Sequence, residues 1–264
     1  MKKYLVIGNP IKHSLSPELH NHWILVNNLD SIYERKKIDK IDVGKLIFEI
    51  KNKNIHGINV TVPFKKIIIP YLDNLSLESQ KTQSVNTIYL KDDKIVGHNT
   101  DINGFAFAIK NRKFNLSKKK ILIIGAGGVV SSIIYALKKM NVFKIFISNR
   151  TKNKAEDLKD LFNDLNIVEW GEIPEFDMII NATSVGLNKD DKLDLDFSKI
   201  GKNKFFYDVI YNPRETNFLK MGKKYDNICE NGKMMFIYQA AEAFKIWHGI
   251  EPKIDNKVIQ LLNK

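Results

Sequence analysis

Hydrophobic positions in the first hundred residues alternate between short apolar runs and stripes of helical spacing. Tyr-Leu-Val-Ile at residues 4–7 is a continuous apolar run of buried-strand length, and residues 17–27 carry the three-to-four spacing of a helix. The alternation continues as a strand at 32–38, a helix at 43–53 and a strand at 57–62. It predicts an α/β unit with a mostly parallel sheet. Strands at 84–90 and 94–98 flank Asp92 and Asp93 and predict a hairpin, after which an amphipathic helix from 103 to about 113 is expected to bridge into a second domain.

The second half repeats the βα pattern. An apolar strand at 121–124 leads to a helix carrying Val130, Ile133, Ile134 and Leu137, then a strand at 142–148 and a helix at 152–162. A short strand at 167–168 and strands at 178–182 and 205–209 follow. Such units opening on a glycine turn predict a Rossmann-like nucleotide-binding domain. From Gly232 the helical spacing returns through Met235, Tyr238, Gln239, Ala241, Phe244 and Trp247, and a short last helix follows Asp255. These helices are expected to pack on the first domain. The expected division is therefore residues 1–102 completed by 233–264, and residues 103–232, with a cleft between two α/β domains.

The glycine turn is the most specific local signal. KILIIGAGG (residues 120–128) is an apolar strand running into glycines, where Gly125 and Gly127 permit a tight turn and a close approach to a pyrophosphate held by the following helix N-terminus. The next strand, FKIFIS (residues 143–148), ends in Asn149, Arg150 and Thr151. NAD-binding chains usually carry Asp or Glu there for the ribose hydroxyl; a guanidinium, with Lys154 one turn on, suits a 2′-phosphate and implies NADP. Val130 stands where the full glycine pattern has a small third residue.

Composition narrows the remaining classes. The 264 residues, 44% of them hydrophobic, suffice for two domains. No apolar stretch reaches the ~18 residues of a membrane span, and MKKYLVIGNP is too short a run for a signal peptide. A cytoplasmic protein with no membrane partner is expected. The single cysteine, Cys229, leaves no internal disulfide framework or cysteine metal cluster, and the six histidines assemble no site, so no metal is expected. A net charge of +12 invites a nucleic-acid reading, but the lysines are scattered, with a short run only at 118–120 and no recognition motif. The charge is read as a bias toward Lys and Asn throughout the chain, with a secondary benefit in attracting an anionic small-molecule substrate and cofactor; a monomer or homodimer is expected.

Several polar positions stand out against this frame. His13-Ser14-Leu15-Ser16-Pro17 enters a helix, with Ser16 suited to the N-cap and Pro17 to the first turn; the same hydroxyls would also serve a carboxylate. In Ile58-Asn59-Val60-Thr61-Val62-Pro63 the period of two puts Asn59 and Thr61 on one face and the apolar residues on the other. Lys65 follows at once. Asn86 lies on the hairpin, and Asn99-Thr100-Asp101 closes it, with Asp101 either a helix cap or a functional carboxylate.

Read together, GNPIKHSLSPELHN (8–21), NVTVPFK (59–65), SVNT (84–87), NTD (99–101), GAGG (125–128), NRT (149–151), NATSVG (181–186), DVIYNPRET (208–216) and QAAEAFKIWHG (239–249) resemble the shikimate dehydrogenase family in order and spacing. The resemblance implies NADP-dependent reduction of 3-dehydroshikimate to shikimate, in the biosynthesis of aromatic amino acids. It makes Lys65 and Asp101 the catalytic pair. Ser14 and Ser16 would anchor the substrate carboxylate, Asn59, Thr61, Asn86 and Gln239 would hold the ring hydroxyls with Asp101, and Tyr211 would border the carboxylate. Gly125, Ala126, Gly127, Gly128, Val129, Asn149, Arg150, Thr151 and Lys154 would hold the adenosine phosphates. Thr183, Val209, Gly232 and Met235 would line the rest of the cofactor path, with Met234 standing where the family commonly has glycine.

The reaction needs an acid for the developing alkoxide, and Lys65 beside Asp101 is the candidate. A quinate/shikimate dehydrogenase using NAD is the nearest alternative, against which Ser16 and Arg150 argue. An NADP-binding regulatory module is another, which would be expected to lack Lys65 or Asp101.

Overall fold

Residues 4–8 of the first strand are buried without alternation, as expected of a strand covered on both faces. The computed structural model describes residues 1–198 and 200–263. It divides into one unit of residues 1–105 with 237–264 and another of residues 106–236.

The first unit contains β1 (Lys2–Gly8), α1 (Ser16–Val26), β2 (Ser31–Lys37), α2 (Val43–Lys51), β3 (Gly57–Val60), α3 (Phe64–Ile67), β4 (Asn74–Leu75), α4 (Leu77–Thr82), β5 (Thr87–Lys91), β6 (Lys94–His98) and the start of α5 (Asp101–Asn111). Its six-stranded sheet has the order β2-β1-β3-β5-β6-β4. β1 pairs parallel with β2 and β3, while the β5–β6 hairpin adds antiparallel to β3. On one face Val43, Leu46, Ile47 and Ile50 of α2 pack with Leu5, Ile7, Ile58 and Ile88 of the strands.

The second unit contains β7 (Lys120–Ile124), α6 (Val130–Lys139), β8 (Lys144–Ser148), α7 (Lys152–Leu161), β9 (Asn166–Ile167), β10 (Met178–Asn181), β11 (Phe205–Asp208), α8 (Asn217–Lys224) and β12 (Ile228–Glu230). All its pairings are parallel, in the order β12-β11-β10-β7-β8-β9. The order reverses between β7 and β10, which puts the glycine turn after β7 at the topological switch point where such sheets bind ligands. The chain leaves through α9 (Lys233–His248) and ends in α10 (Asn256–Leu261), and the unit boundaries fall inside α5 and α9.

The sequence pattern and the structure part where elements are short. Residues 64–83 hold α3, β4 and α4, pieces of four, two and six residues, too brief to show a period. The predicted strand at 84–90 begins only at Thr87, and the helix at 43–53 stops at Lys51.

Trp247 of α9 shows how the second face of the first sheet is closed. Its ring lies 5.1 Å from that of Tyr4 on β1, and its indole nitrogen donates to the Ile88 carbonyl at 3.1 Å. A Cβ on Gly57 would stand 2.4 Å from that nitrogen, so glycine there makes room for the indole. Gly57→Ala should displace Trp247 and destabilise the protein by roughly 2–3 kcal/mol, the range for overpacking plus a lost buried hydrogen bond. Denaturant unfolding of the variant checks this; an unchanged midpoint would show that the indole is not clamped.

Candidate functional site

Lys65 sits on the single turn α3, reached through the cis-proline Pro63 directly after β3, and its backbone carbonyl accepts the Val85 N–H at 2.9 Å. Its ammonium pairs with the Asp101 carboxylate at the start of α5, with both side chains largely buried. The alternative role for Asp101, that of a helix cap, is taken by its neighbour: the Asn99 side-chain oxygen accepts the Asp101 N–H at 3.1 Å. The carboxylate is thereby left to Lys65 and to Asn86, whose amide donates to its other oxygen at 2.9 Å.

Asn86 is 2% exposed and fixed on all sides. Its amide nitrogen also donates to Thr100 at 2.9 Å and lies 3.4 Å from the Gln239 side-chain oxygen, while its own oxygen accepts the Thr100 N–H at 2.8 Å and the Thr87 hydroxyl at 3.0 Å. Asn59, on β3, donates to the Asn86 carbonyl and to Thr87, each at 3.1 Å, and accepts the Tyr33 hydroxyl at 2.6 Å. Thr61 lies two residues further along the same face; a Cβ on Gly8 would come 2.6 Å from its methyl group.

Ser14 and Ser16 lie side by side, the Ser14 hydroxyl donating to that of Ser16 at 3.2 Å. The expected capping role of Ser16 is not what the structure shows. Ser16 is already the first residue of α1; Leu15 holds the cap position without a side-chain bond, and Pro17 follows in the first turn. Ser16 is instead buried, its hydroxyl accepting from Ser14. Of the substrate residues named from the sequence, Asn59, Asn86 and Gln239 thus join Lys65 and Asp101 in one hydrogen-bonded cluster, while Ser14 and Ser16 form a pair of their own. Tyr211 belongs to the second unit, where it stacks on Phe236 at 4.5 Å.

In the second unit the candidate cofactor residues gather at the ends of β7, β8 and β10. Gly125 has φ +107°, and a Cβ on it would meet the Ala182 carbonyl at 2.9 Å, so this turn requires glycine. Ala126, Gly127, Gly128 and Val129 carry the chain into α6, and the Gly125 N–H reaches the Ser148 carbonyl at 2.8 Å. Asn149 donates to the Thr151 carbonyl at 2.7 Å, and Arg150 and Lys154 are exposed beside it. Gly232 packs so tightly on Val209 that an added Cβ would overlap its carbonyl. Met235 is buried in the first turn of α9.

Two residues absent from that set organise this region. Asn181 ends β10, accepts both the N–H and the hydroxyl of Thr183 at 3.1 and 2.7 Å, and donates to the Val185 carbonyl at 3.0 Å. Asp208 ends β11, fully buried, and accepts from Asn181, Thr216 and the Ile210 N–H. Two parallel strands ending side by side in Asn and Asp were the available signal. Burial pushes the Asp208 carboxyl up to about 6, against the opposing pull of the Thr216, Ile210 and Asn181 hydrogen bonds.

A carboxyl whose folded pKa is raised favours the protonated, low-pH form of the fold. The stability it contributes is complete below about pH 4 and is lost as pH rises through about 6. Asp208→Asn should remove this component, so that the stability difference between wild type and variant moves against the wild type by on the order of 2 kcal/mol from pH 4 to 7. Urea midpoints of both proteins across that range test it; parallel pH profiles would contradict it.

Comparison with known proteins places these features in a family. Residues 6–88 match the shikimate dehydrogenase substrate binding domain, residues 108–217 the shikimate / quinate 5-dehydrogenase model, and residues 235–256 the shikimate 5′-dehydrogenase C-terminal domain. The chain is 58% identical over 262 residues to a shikimate dehydrogenase (NADP(+)) of Pelagibacter ubique, covering 99% of each. It superposes on the crystal structure of shikimate dehydrogenase from Aquifex aeolicus with a TM-score of 0.91 and 38% identity, over 99% of this chain and 97% of that one. The enzyme from Thermus thermophilus in complex with NADP(H) and shikimate gives a TM-score of 0.90 at 29% identity, over 100% and 98%. The chain belongs to the shikimate dehydrogenase family.

Proposed function

We propose that the protein catalyses the reversible NADPH-dependent reduction of 3-dehydroshikimate to shikimate. The observation that carries this reading is the Lys65–Asp101 pair in a buried polar cluster, with the Ser14–Ser16 hydroxyl pair on the same unit. A substrate with a carboxylate at one end and a ring carbonyl at the other matches that polarity. The Pelagibacter relative carries the name shikimate dehydrogenase (NADP(+)), and the Thermus structure was solved with NADP(H) and shikimate.

Ser14 and Ser16 bind the carboxylate by hydroxyl donation, while Asn59, Thr61, Asn86 and Gln239 take the ring hydroxyls. Tyr211 borders the carboxylate. The nicotinamide supplies the hydride that adds to the ring carbonyl carbon. Lys65 then gives a proton from its ammonium to the oxygen left negative by that addition, yielding the alcohol. Asp101 aims the ammonium. In the oxidative direction the neutral Lys65 amine takes the hydroxyl proton back.

The second unit suits the dinucleotide by its backbone. The Gly125 turn has no room for a side chain, which leaves amides open to a pyrophosphate at the start of α6. Arg150 and Lys154 then meet the 2′-phosphate, with Asn149 and Thr151 beside them. Thr183, Val209, Gly232 and Met235 line the nicotinamide side.

The direct test is loss of NADPH absorbance on adding 3-dehydroshikimate; a purified chain that gives none would overturn the proposal. Lys65→Ala should lower kcat by roughly two to four orders of magnitude while changing the shikimate Kd far less. Near-normal turnover would remove Lys65 as the acid.

Arg150→Ala should weaken NADP binding by ~10–100-fold and leave NAD binding almost unchanged, because only NADP carries the 2′-phosphate. Calorimetric titration with both cofactors reads this. Equal losses would mean that Arg150 serves the shared part of the dinucleotide or the fold.

A further inference from the structure

Ser14 lies on the segment between β1 and α1, outside regular secondary structure. Its N–H donates to the Ile11 carbonyl at 3.1 Å, and its own carbonyl accepts the Arg35 Nε–H at 2.7 Å. The same guanidinium donates from Nη2 to both carboxylate oxygens of Glu18, at 2.7 and 2.6 Å, in the first turn of α1. A guanidinium is planar, so its N–H directions are fixed relative to one another. Seating Nη2 on Glu18 therefore aims Nε at the Ser14 carbonyl. Arg35, carried by β2, ties the strand to the helix and to the segment that leads into it.

The peptide groups on both sides of Ser14 are held in this way, which fixes the point from which its side chain starts. The Ser14 hydroxyl donates to Ser16 Oγ at 3.2 Å, and the Ser16 N–H donates back to Ser14 Oγ at 3.4 Å. The guanidinium thus takes the carbonyl and leaves the hydroxyl to Ser16. Two residues earlier on the same face of β2, Tyr33 donates to Asn59 Oδ1 at 2.6 Å. One strand face accordingly holds the Ser14 backbone and the Asn59 amide, from positions about 6–7 Å apart along the strand. The Arg35 and Glu18 side chains are 33% and 25% exposed, a setting in which an ion pair adds little to stability by its charge alone. Because Glu18 offsets the charge of Arg35, what the guanidinium supplies at Ser14 is position rather than attraction.

We propose that Arg35 is a positioning residue for the substrate carboxylate, acting through Ser14: its guanidinium, oriented by Glu18, fixes the Ser14 backbone to β2 and so places the Ser14–Ser16 hydroxyl pair relative to Asn59. The inference rests on the carboxylate-anchor reading of Ser14 and Ser16. Substrate entry turns the Ser14 hydrogen from Ser16 to the carboxylate, while the Ser14 carbonyl stays on Arg35. The distance between the carboxylate anchor and the hydroxyl-binding amide is then a property of one strand.

Arg35→Met keeps the aliphatic stem and removes the fork. The expected result is a KM for shikimate raised about tenfold, the scale of one hydrogen bond from a charged group, with kcat within about threefold and the KM for NADP unchanged. The ratio of variant to wild-type KM should be the same at low and at high salt, since position is not screened. Combined with Ser14→Ala, the two losses should be clearly less than additive, because Arg35 acts through Ser14. Arg35→Lys, which keeps the charge and the stem, carries the same test should the methionine variant fail to fold: without the fork it should still raise the KM by about threefold. Additive losses, a fall in kcat as large as the rise in KM, a KM ratio that vanishes at high salt, or a wild-type KM in Arg35→Lys would each overturn the inference alone. A wild type that does not turn over shikimate would overturn the functional reading and this inference with it.

Discussion

A buried hydroxyl or amide has a fixed number of hydrogens to give, and in the first unit a run of them is directed along one path. Tyr33 donates to Asn59, Asn59 to Thr87, Thr87 to Asn86 and Asn86 to Asp101. Asp101 is a terminal acceptor, and it also receives Lys65. Because an unsatisfied buried polar group costs about 1–3 kcal/mol, no member can rotate without leaving a neighbour unpaired. The path runs across β2, β3 and β5, strands pinned to one another by the sheet ladder. The spacing of these groups is thus set by the strands that carry them rather than by side-chain flexibility. Preorganisation of this kind is what a positioned acid needs.

The second unit reaches a comparable rigidity by different means. Its candidate cofactor positions rely on close backbone approaches, at Gly125 against Ala182 and at Gly232 against Val209. Behind them, Asn181 and Asp208 tie the ends of two adjacent strands to the segments that follow. Asp208 is held there at an electrostatic cost, since its desolvation outweighs the three kinds of hydrogen bond it accepts. The cost maintains a turn geometry that an apolar pair could not, because Thr216 and the Ile210 N–H need an acceptor.

Much of the fold was legible because its long elements carry clean periods. The run at residues 4–7, the strand at 120–124 that leads into the glycine turn and the helical stripe through Phe244 and Trp247 all lie inside observed elements of the same type. The stretch at 64–83 was not legible, since α3, β4 and α4 are each shorter than the period that would reveal them. Among the site residues, the alternation at 58–62 correctly put Asn59 apart from Ile58 and Val60, but Ser16 shows the limit of local rules. Its sequence neighbourhood reads as a cap, yet Leu15 holds that position and Ser16 lies one residue inside the helix, its hydroxyl accepting from Ser14. Tyr33, which donates to Asn59, carries no local mark of that role. Its role comes from register, Tyr33 standing opposite Tyr4 on β1 while Asn59 stands opposite Val6.

The central claim is that the strand-borne hydrogen-bonded cluster and the Ser14–Ser16 pair fix where the two ends of the substrate lie. A crystal structure of the protein with shikimate tests it most directly. The account predicts the carboxylate within ~3.2 Å of the Ser14 and Ser16 hydroxyls and the reacting ring hydroxyl at the same range from Lys65 and Asp101, with Asn59, Tyr33 and Asn86 unmoved. A carboxylate seated on Lys65, or a ring bound away from Asn59 and Asn86, would contradict it.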